Sequence, residues 1–178
     1  DVYKRQIERS ELVLLCVPDD QLAELVSGLA DAGAWQPGQI VVHTSPNFGL
    51  VVLDPARARG AIPIALHPAM VFTGTSVDVA RLTDCCMVVT APSPVLPIGQ
   101  ALAVEMGAEP VVIAEADRAH YAEAVATASS FSVAIVNQAR ALLEQAGVDH
   151  PSRVLGPIIR SAVENTLMTG RVPGEIDA

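Results

Sequence analysis

The chain has 178 residues, 51% of them hydrophobic and only 17% charged, a balance that favours a buried core and excludes disorder. Its net charge of −9 opposes nucleic acid as a partner, because no basic patch is at hand to neutralise phosphates. Apolar runs reach roughly six to eight residues before Pro, Asp or Gly breaks them, far short of the ~20 that a membrane span needs.

Asp1–Arg9 is polar and charged, without the apolar stretch of a secretory signal. Val2-Tyr3-Lys4-Arg5-Gln6 matches no element that follows, so residues 1–10 read as a leader foreign to the fold. The first strand is Leu12–Val17, closed by Pro18. Asp19 or Asp20 is placed to N-cap a helix over Gln21–Ala30, whose Leu22, Leu25, Val26 and Leu29 recur at helical spacing. Gly33 and Pro37-Gly38 punctuate the chain before a second apolar run that ends in His43-Thr44-Ser45-Pro46. A short helix around Val51–Arg59 leads to a third run, which ends in His67-Pro68.

Beyond a turn-rich stretch at Phe72–Ser76, the pattern predicts a short helix at Val77–Leu82 and a strand at Cys86–Ala91. A helix at about Val95–Met106, stopped by Gly107, and a last strand at Pro110–Ala114 complete this part. The texture changes at Glu115. From there to Gly147 the composition is Ala-rich and free of helix breakers, which predicts one helix of about 30 residues, against the 11–12 typical of globular proteins. Pro151 opens a second helix running to Gly170, with a kink expected at Gly156-Pro157. Arg171–Ala178 continues without a helical or strand pattern, and both ends of the chain look cut.

Continuous apolar strands without alternation are covered on both faces, as in the parallel sheet of an α/β domain. The fold class expected is therefore α/β, with a sheet over 11–114 and a helical domain over 115–178; if the sheet is Rossmann-like, these strands are its second half. No G-x-G-x-x-G turn occurs, so the first half of such a sheet would lie upstream.

Open α/β sheets bind ligands beyond the carboxyl ends of their strands. Val17-Pro18-Asp19 and Thr44-Ser45 stand at two such ends and are expected to line a dinucleotide. His67 stands at a third; it either faces substrate, as hydrogen-bond donor or general acid, or bonds backbone and holds a loop, and it is taken as a candidate catalytic residue. His43 reads as a histidine bonded to backbone that holds a loop. On the long helix, Tyr121, Val125 and Ser129 recur every four residues, as do Ala122, Ala126 and Ser130; the spacing suits close helix packing, or a serine hydroxyl that meets substrate. Of the two, Ser130 is taken as a candidate catalytic residue. Three cysteines, Cys16 and the adjacent Cys85-Cys86, lack metal-ligand or disulfide spacing, and no metal site is expected. Reduced thiols fit a cytoplasmic protein.

Leu12–Asp20, Val41–Ser45 and Ala65–Gly74, followed by Asp117–Ser132 and Val154–Asn165, resemble the bacterial family that pairs a Rossmann-like domain with the domain of unknown function 2520. The resemblance covers nearly everything after Ser10. It implies kinship with pyrroline-5-carboxylate reductase and the 6-phosphogluconate-type dehydrogenases, with NADP or NAD as cofactor and a helical domain that forms a homodimer. Many members have Ser-Gly where this chain has Ser45-Pro46, and Asn where it has Ser130. The expected function is an NAD(P)-dependent oxidoreductase for a small carbonyl, imine or hydroxy-acid substrate. The competing readings are a non-catalytic dinucleotide-binding or sensing module and a purely structural dimer subunit.

Overall fold

The computed structural model describes residues 2–170, which divide after Val125 into two compact units. In unit one, helix α1 (Val2–Glu8) precedes strand β1 (Leu12–Leu15), helix α2 (Asp19–Asp31) and strand β2 (Ile40–His43). A 3-10 turn, Val51–Leu53, runs into the short helix α3 (Asp54–Arg57), followed by β3 (Ile62–Pro68), α4 (Val77–Leu82), β4 (Cys86–Thr90), α5 (Leu96–Glu105) and β5 (Glu109–Val112). The segment read as a leader is thus a helix. Its Ile7 packs on the core, and Gln39 Nε2 donates to the carbonyls of Ile7 (2.6 Å) and Ser10 (2.7 Å).

The five strands lie in chain order, with β1 at one edge. β1, β2 and β3 run parallel, in a register that aligns Leu15 with His43 and His43 with Ala65. The sheet is mixed rather than wholly parallel: β4 is antiparallel to β3, and β5 parallel to β4. The chain re-enters the sheet from the end at which it left, by way of the turn-rich stretch after β3 and helix α4.

Alternation along the strands divides the core in two. Leu15 and Val41 point to the face covered by α2 and α3, where Leu22, Val26, Trp35 and Leu53 are buried. Val42, Ile64, Leu66, Met87 and Val89 point to the other face, partly covered by α5 through Ala103. Helix α5 sits very close to the sheet at Gly99. A methyl group there would lie 2.6 Å from Val89 Cγ1 and 3.3 Å from Ile64 Cγ2.

The expected 30-residue helix is instead a helical run of three registers. Helix α6 (Arg118–Ala126) follows a 3-10 turn at Glu115–Asp117, passes into a π turn at Thr127–Phe131, and resumes as α7 (Ser132–Gln145). No helix breaker interrupts it, but serines do compete for its carbonyls. Ser132 Oγ donates to Ala128 O (2.5 Å) and Ser129 Oγ to Ala126 O (3.3 Å), back-bonds that loosen the α-helical ladder. In unit two, α7 and α8 (Pro151–Thr169) pack together along half-buried Val136, Ala139 and Leu143 on one side and Leu155, Ile159 and Ala162 on the other. Pro157 lies inside α8, and Gly170, at φ 65°, ends it in the left-handed region. The run Arg171–Ala178 lies outside the described residues.

Gly99 yields a direct test of the α5–sheet contact. Gly99→Ala is expected to lower stability by about 1–3 kcal/mol through overpacking against Val89, although Ala favours a helix by ~1 kcal/mol. Urea unfolding of the two proteins side by side checks it.

Candidate functional site

Because β1, β2 and β3 are parallel and in register, the segments that follow them emerge at one end of the sheet. There Val17, Thr44, Pro46 and His67 border a groove of about 520 Å³, with Leu66, Met87 and Leu82 among the residues below them. None of its lining side chains carries a formal charge. Among the described residues no group of three His, Cys, Asp or Glu side chains is placed to hold a metal ion.

The loop after β2 is held from within by its own polar groups. The backbone N–H of Ser45 donates to His43 Nδ1 (3.2 Å). An N–H can only donate, so the proton of a neutral His43 sits on Nε2 and points to Gly49 O at 2.8 Å. His43 is fully buried, and burial lowers its pKa more than the Gly49 carbonyl raises it. Ser45 Oγ accepts from Asn47 N (3.0 Å), and Asn47 Nδ2 donates to Asp19 Oδ2. That bond joins the β2 loop to the start of α2.

A second set of ties reaches the same loop from much later in the chain. Arg118, 4% exposed, donates from Nη2 to Ser45 O (2.9 Å) and Phe48 O (2.6 Å), and from Nε to Phe48 O (3.1 Å). No carboxylate lies within ion-pairing distance of it among the described residues. Its Nη1 has no hydrogen-bond partner, and the guanidinium carbon stands 5.4 Å from the centre of the Tyr121 ring, a cation–π contact. Both carboxylate oxygens of Glu115 accept the N–H of Leu50 (2.9 and 2.8 Å). A side chain at Gly49 would run into that carboxylate, so it would have to displace Glu115 from Leu50.

Tyr121 links this clamp to the groove. Its hydroxyl lies 2.6 Å from His67 Nδ1, and the two rings meet edge-on with centroids 5.6 Å apart. His67 is 7% exposed. Burial first, and then the Arg118 charge and His43, push its pKa down from 6.5 to about 4, against a smaller opposing effect of Asp19. His67 is therefore neutral at physiological pH and does not act there as an imidazolium acid.

Of the residues singled out from sequence, Val17, Thr44 and His67 border the groove together. Pro18 is exposed beside them and Asp19 is half-buried at the start of α2. Neither Asp19 nor Asp20 caps that helix: Pro18 is its N-cap residue, no side chain caps it, and both acids lie in its first turn. Asp19 bonds Asn47 instead. Ser45 is buried, with its hydroxyl and both backbone polar groups engaged inside the loop. Ser130 is exposed on the π turn of unit two. Sequence reasoning did not single out Arg118, Glu115 or Asn47, and took Tyr121 only as a packing residue. One signal was available: Arg118 and Tyr121 are three apart in an Ala-rich helix and so share a face.

Comparison with known proteins gives the same outline. The model of the Rossmann-like domain matches residues 3–68, and that of the domain of unknown function DUF2520 matches residues 85–174. No curated protein matches the chain. Among solved structures, a protein from Thermotoga maritima superposes with a TM-score of 0.71 at 18% identity, over 93% of this chain and 62% of that one. A reductive aminase from Aspergillus terreus, in complex with NADPH and ethyl levulinate, gives 0.69 at 16% identity, over 92% and 56%. A pyrroline-5-carboxylate reductase from Coxiella burnetii gives 0.57 at 12% identity, over 94% and 62%. The chain thus spans about 60% of the length of these proteins. Its fold is the Rossmann-like α/β fold found in NAD(P)-dependent oxidoreductases. With its sheet followed by a helical region, the chain belongs to the family that joins a Rossmann-like domain to the DUF2520 domain.

Proposed function

We propose that this chain is part of an NAD(P)-dependent oxidoreductase that transfers hydride between the nicotinamide and a small carbonyl, imine or hydroxy-acid substrate. The observation that carries the reading is His67: a neutral imidazole at a strand's carboxyl end, bonded through Nδ1 and with Nε2 unclaimed among the described residues. The residues present fit one end of the cofactor. Val17, Pro18, Thr44 and Pro46 make an uncharged shelf suited to the nicotinamide and its ribose. The N-terminus of α2 does not suit the pyrophosphate, because Asp19 and Asp20 stand in its first turn and repel an anion that a bare helix end would attract. NAD(P), when bound, supplies the hydride. The chain's own residues position the ring and present a donor to the substrate's oxygen or nitrogen, while Ser45 shapes the loop from inside. This reading rests on unit one and assigns no step to Ser130.

The proposal extends to a cytoplasmic homodimer. The three cysteines are free thiols, as a reducing compartment keeps them. Phe131, Ile135 and Leu142, each at least 60% exposed, recur at helical spacing, and Val154 and Ile158 are exposed on α8. Such contiguous apolar surface usually marks an interface.

Calorimetry of the full-length protein is expected to show NADPH or NADH binding, and oxidation of the bound cofactor by members of a panel of ketones, imines and 2-oxo acids. His67→Asn should lower turnover about 10²-fold or more while leaving cofactor affinity unchanged. Binding without turnover of any panel member would assign the chain to a non-catalytic dinucleotide-binding module.

In sedimentation at micromolar concentration the full-length protein is expected to be a dimer, and Ile135→Glu to shift it toward monomer. A monomeric wild type would remove the dimer from the proposal.

Stability should also report the buried histidines. His67 titrates near 4 when folded against 6.5 when unfolded, and His43 is lowered as well. Between these values the unfolded chain binds more protons, so stability is complete above 6.5 and is lost as the pH falls toward 4. Solvent at the groove screens part of the effect, leaving about 2 kcal/mol for His67. Urea midpoints measured across that window in wild type and His67→Asn check the sign.

A further inference from the structure

We infer that Tyr121 is a positioning residue that holds His67 in a single neutral tautomer, with its proton on Nε2, so that the ring meets substrate as an uncharged hydrogen-bond donor. The inference rests on the reading that His67 faces substrate, and it adds the group that determines what His67 can do there.

The geometry leaves two arrangements for the 2.6 Å contact between Tyr121 Oη and His67 Nδ1. Either the phenol donates and Nδ1 accepts, or Nδ1–H donates and the phenol oxygen accepts. The second leaves the phenolic proton without an acceptor among the described residues. The first engages the phenolic hydrogen, with the Arg118 guanidinium 5.4 Å from the centre of the Tyr121 ring. Burial pushes the pKa of the Tyr121 phenol up, against a smaller opposing pull from Arg118, so the hydroxyl keeps its proton and can donate it.

The Arg118 charge is not neutralised. Its bonds go to the carbonyls of Ser45 and Phe48, not to a carboxylate. The titratable and charged groups that act on His67 are Tyr121 and Arg118 from α6, His43 from β2 and Asp19 from α2. Burial and the Arg118 charge disfavour a second proton on the ring, Asp19 favours it by less than Arg118 opposes it, and His43 adds a smaller opposing effect. The donor is then the same neutral Nε2–H throughout the physiological pH range. As hydride reaches a carbonyl carbon, negative charge grows on its oxygen, and a fixed donor aimed there strengthens its bond without a change of protonation.

The test uses ring-nitrogen NMR of the full-length protein carrying ¹⁵N-histidine, with His67 assigned by its loss in His67→Asn. It needs neither substrate nor cofactor. Wild-type His67 is expected to show the Nε2–H pattern at neutral pH and to keep it until the pH approaches 4. Tyr121→Phe, which removes one oxygen and keeps the ring under Arg118, is expected to move both nitrogen shifts toward an average of the two tautomers. An Nδ1–H pattern in the wild type would overturn the inference even if the variant failed to fold. A folded Tyr121→Phe with unchanged His67 shifts would overturn it as well.

In turnover with NADPH, Tyr121→Phe should lower kcat at least about tenfold, with cofactor affinity unchanged. Absence of turnover with every panel substrate would count against the oxidoreductase reading and leave the nitrogen spectra to decide the role of Tyr121.

Discussion

The site depends on a buried cation held by carbonyls. Arg118 gives hydrogen bonds to Ser45 and Phe48, and these draw the start of α6 onto the loop that closes β2. Magnitudes show what the arrangement is for. Hydrogen bonds to a charged group contribute roughly 1.5–3 kcal/mol each, and a desolvated cation–π contact about 2 kcal/mol. Burying the ion costs several kcal/mol. On these figures the bonds and the ring contact offset the cost of burial, and they fix the shape of the loop. Glu115 acts in the same way on the next turn of the loop, through the N–H of Leu50, and lies against Gly49.

The consequences spread from that loop to the groove. Once Ser45 and Phe48 are tied to Arg118, His43 can bond Ser45 N and Gly49 O with its two nitrogens, and it is thereby committed to structure. Tyr121, one helical turn beyond Arg118, then reaches His67. Two histidines at neighbouring strand ends come to have different roles: one is enclosed on both nitrogens, the other bonded on one. Both stay neutral, because burial and the Arg118 charge act on each in the same direction.

Unit two is built differently. Within it, α7 and α8 share a narrow half-buried seam, and α7 has no fully buried residue. The π turn at Thr127–Phe131 changes the helical register just ahead of α7, whose apolar side chains divide between the seam and outward positions such as Ile135 and Leu142.

Much of this was legible in the sequence, for local reasons. Apolar runs bounded by Pro, Gly and Asp marked the strands, 3.6-residue spacing marked α2, Gly107 marked the end of α5, and strand-end position brought Val17, Thr44 and His67 to one edge. These are short-range properties, carried by neighbours in the chain. What only the tertiary structure decided is long-range. The antiparallel entry of β4 is one such feature. The α–π–α register followed from serine back-bonds within an unbroken helical pattern. Asp19 serves Asn47, 28 residues away, rather than the helix end. Above all, Arg118 meets Ser45 across 73 residues and Tyr121 meets His67 across 54. Periodicity identifies the face on which Arg118 and Tyr121 lie, but it carries no information about which carbonyl or ring will stand opposite. That depends on how the sheet and α6 pack, and with it whether each histidine is structural or available.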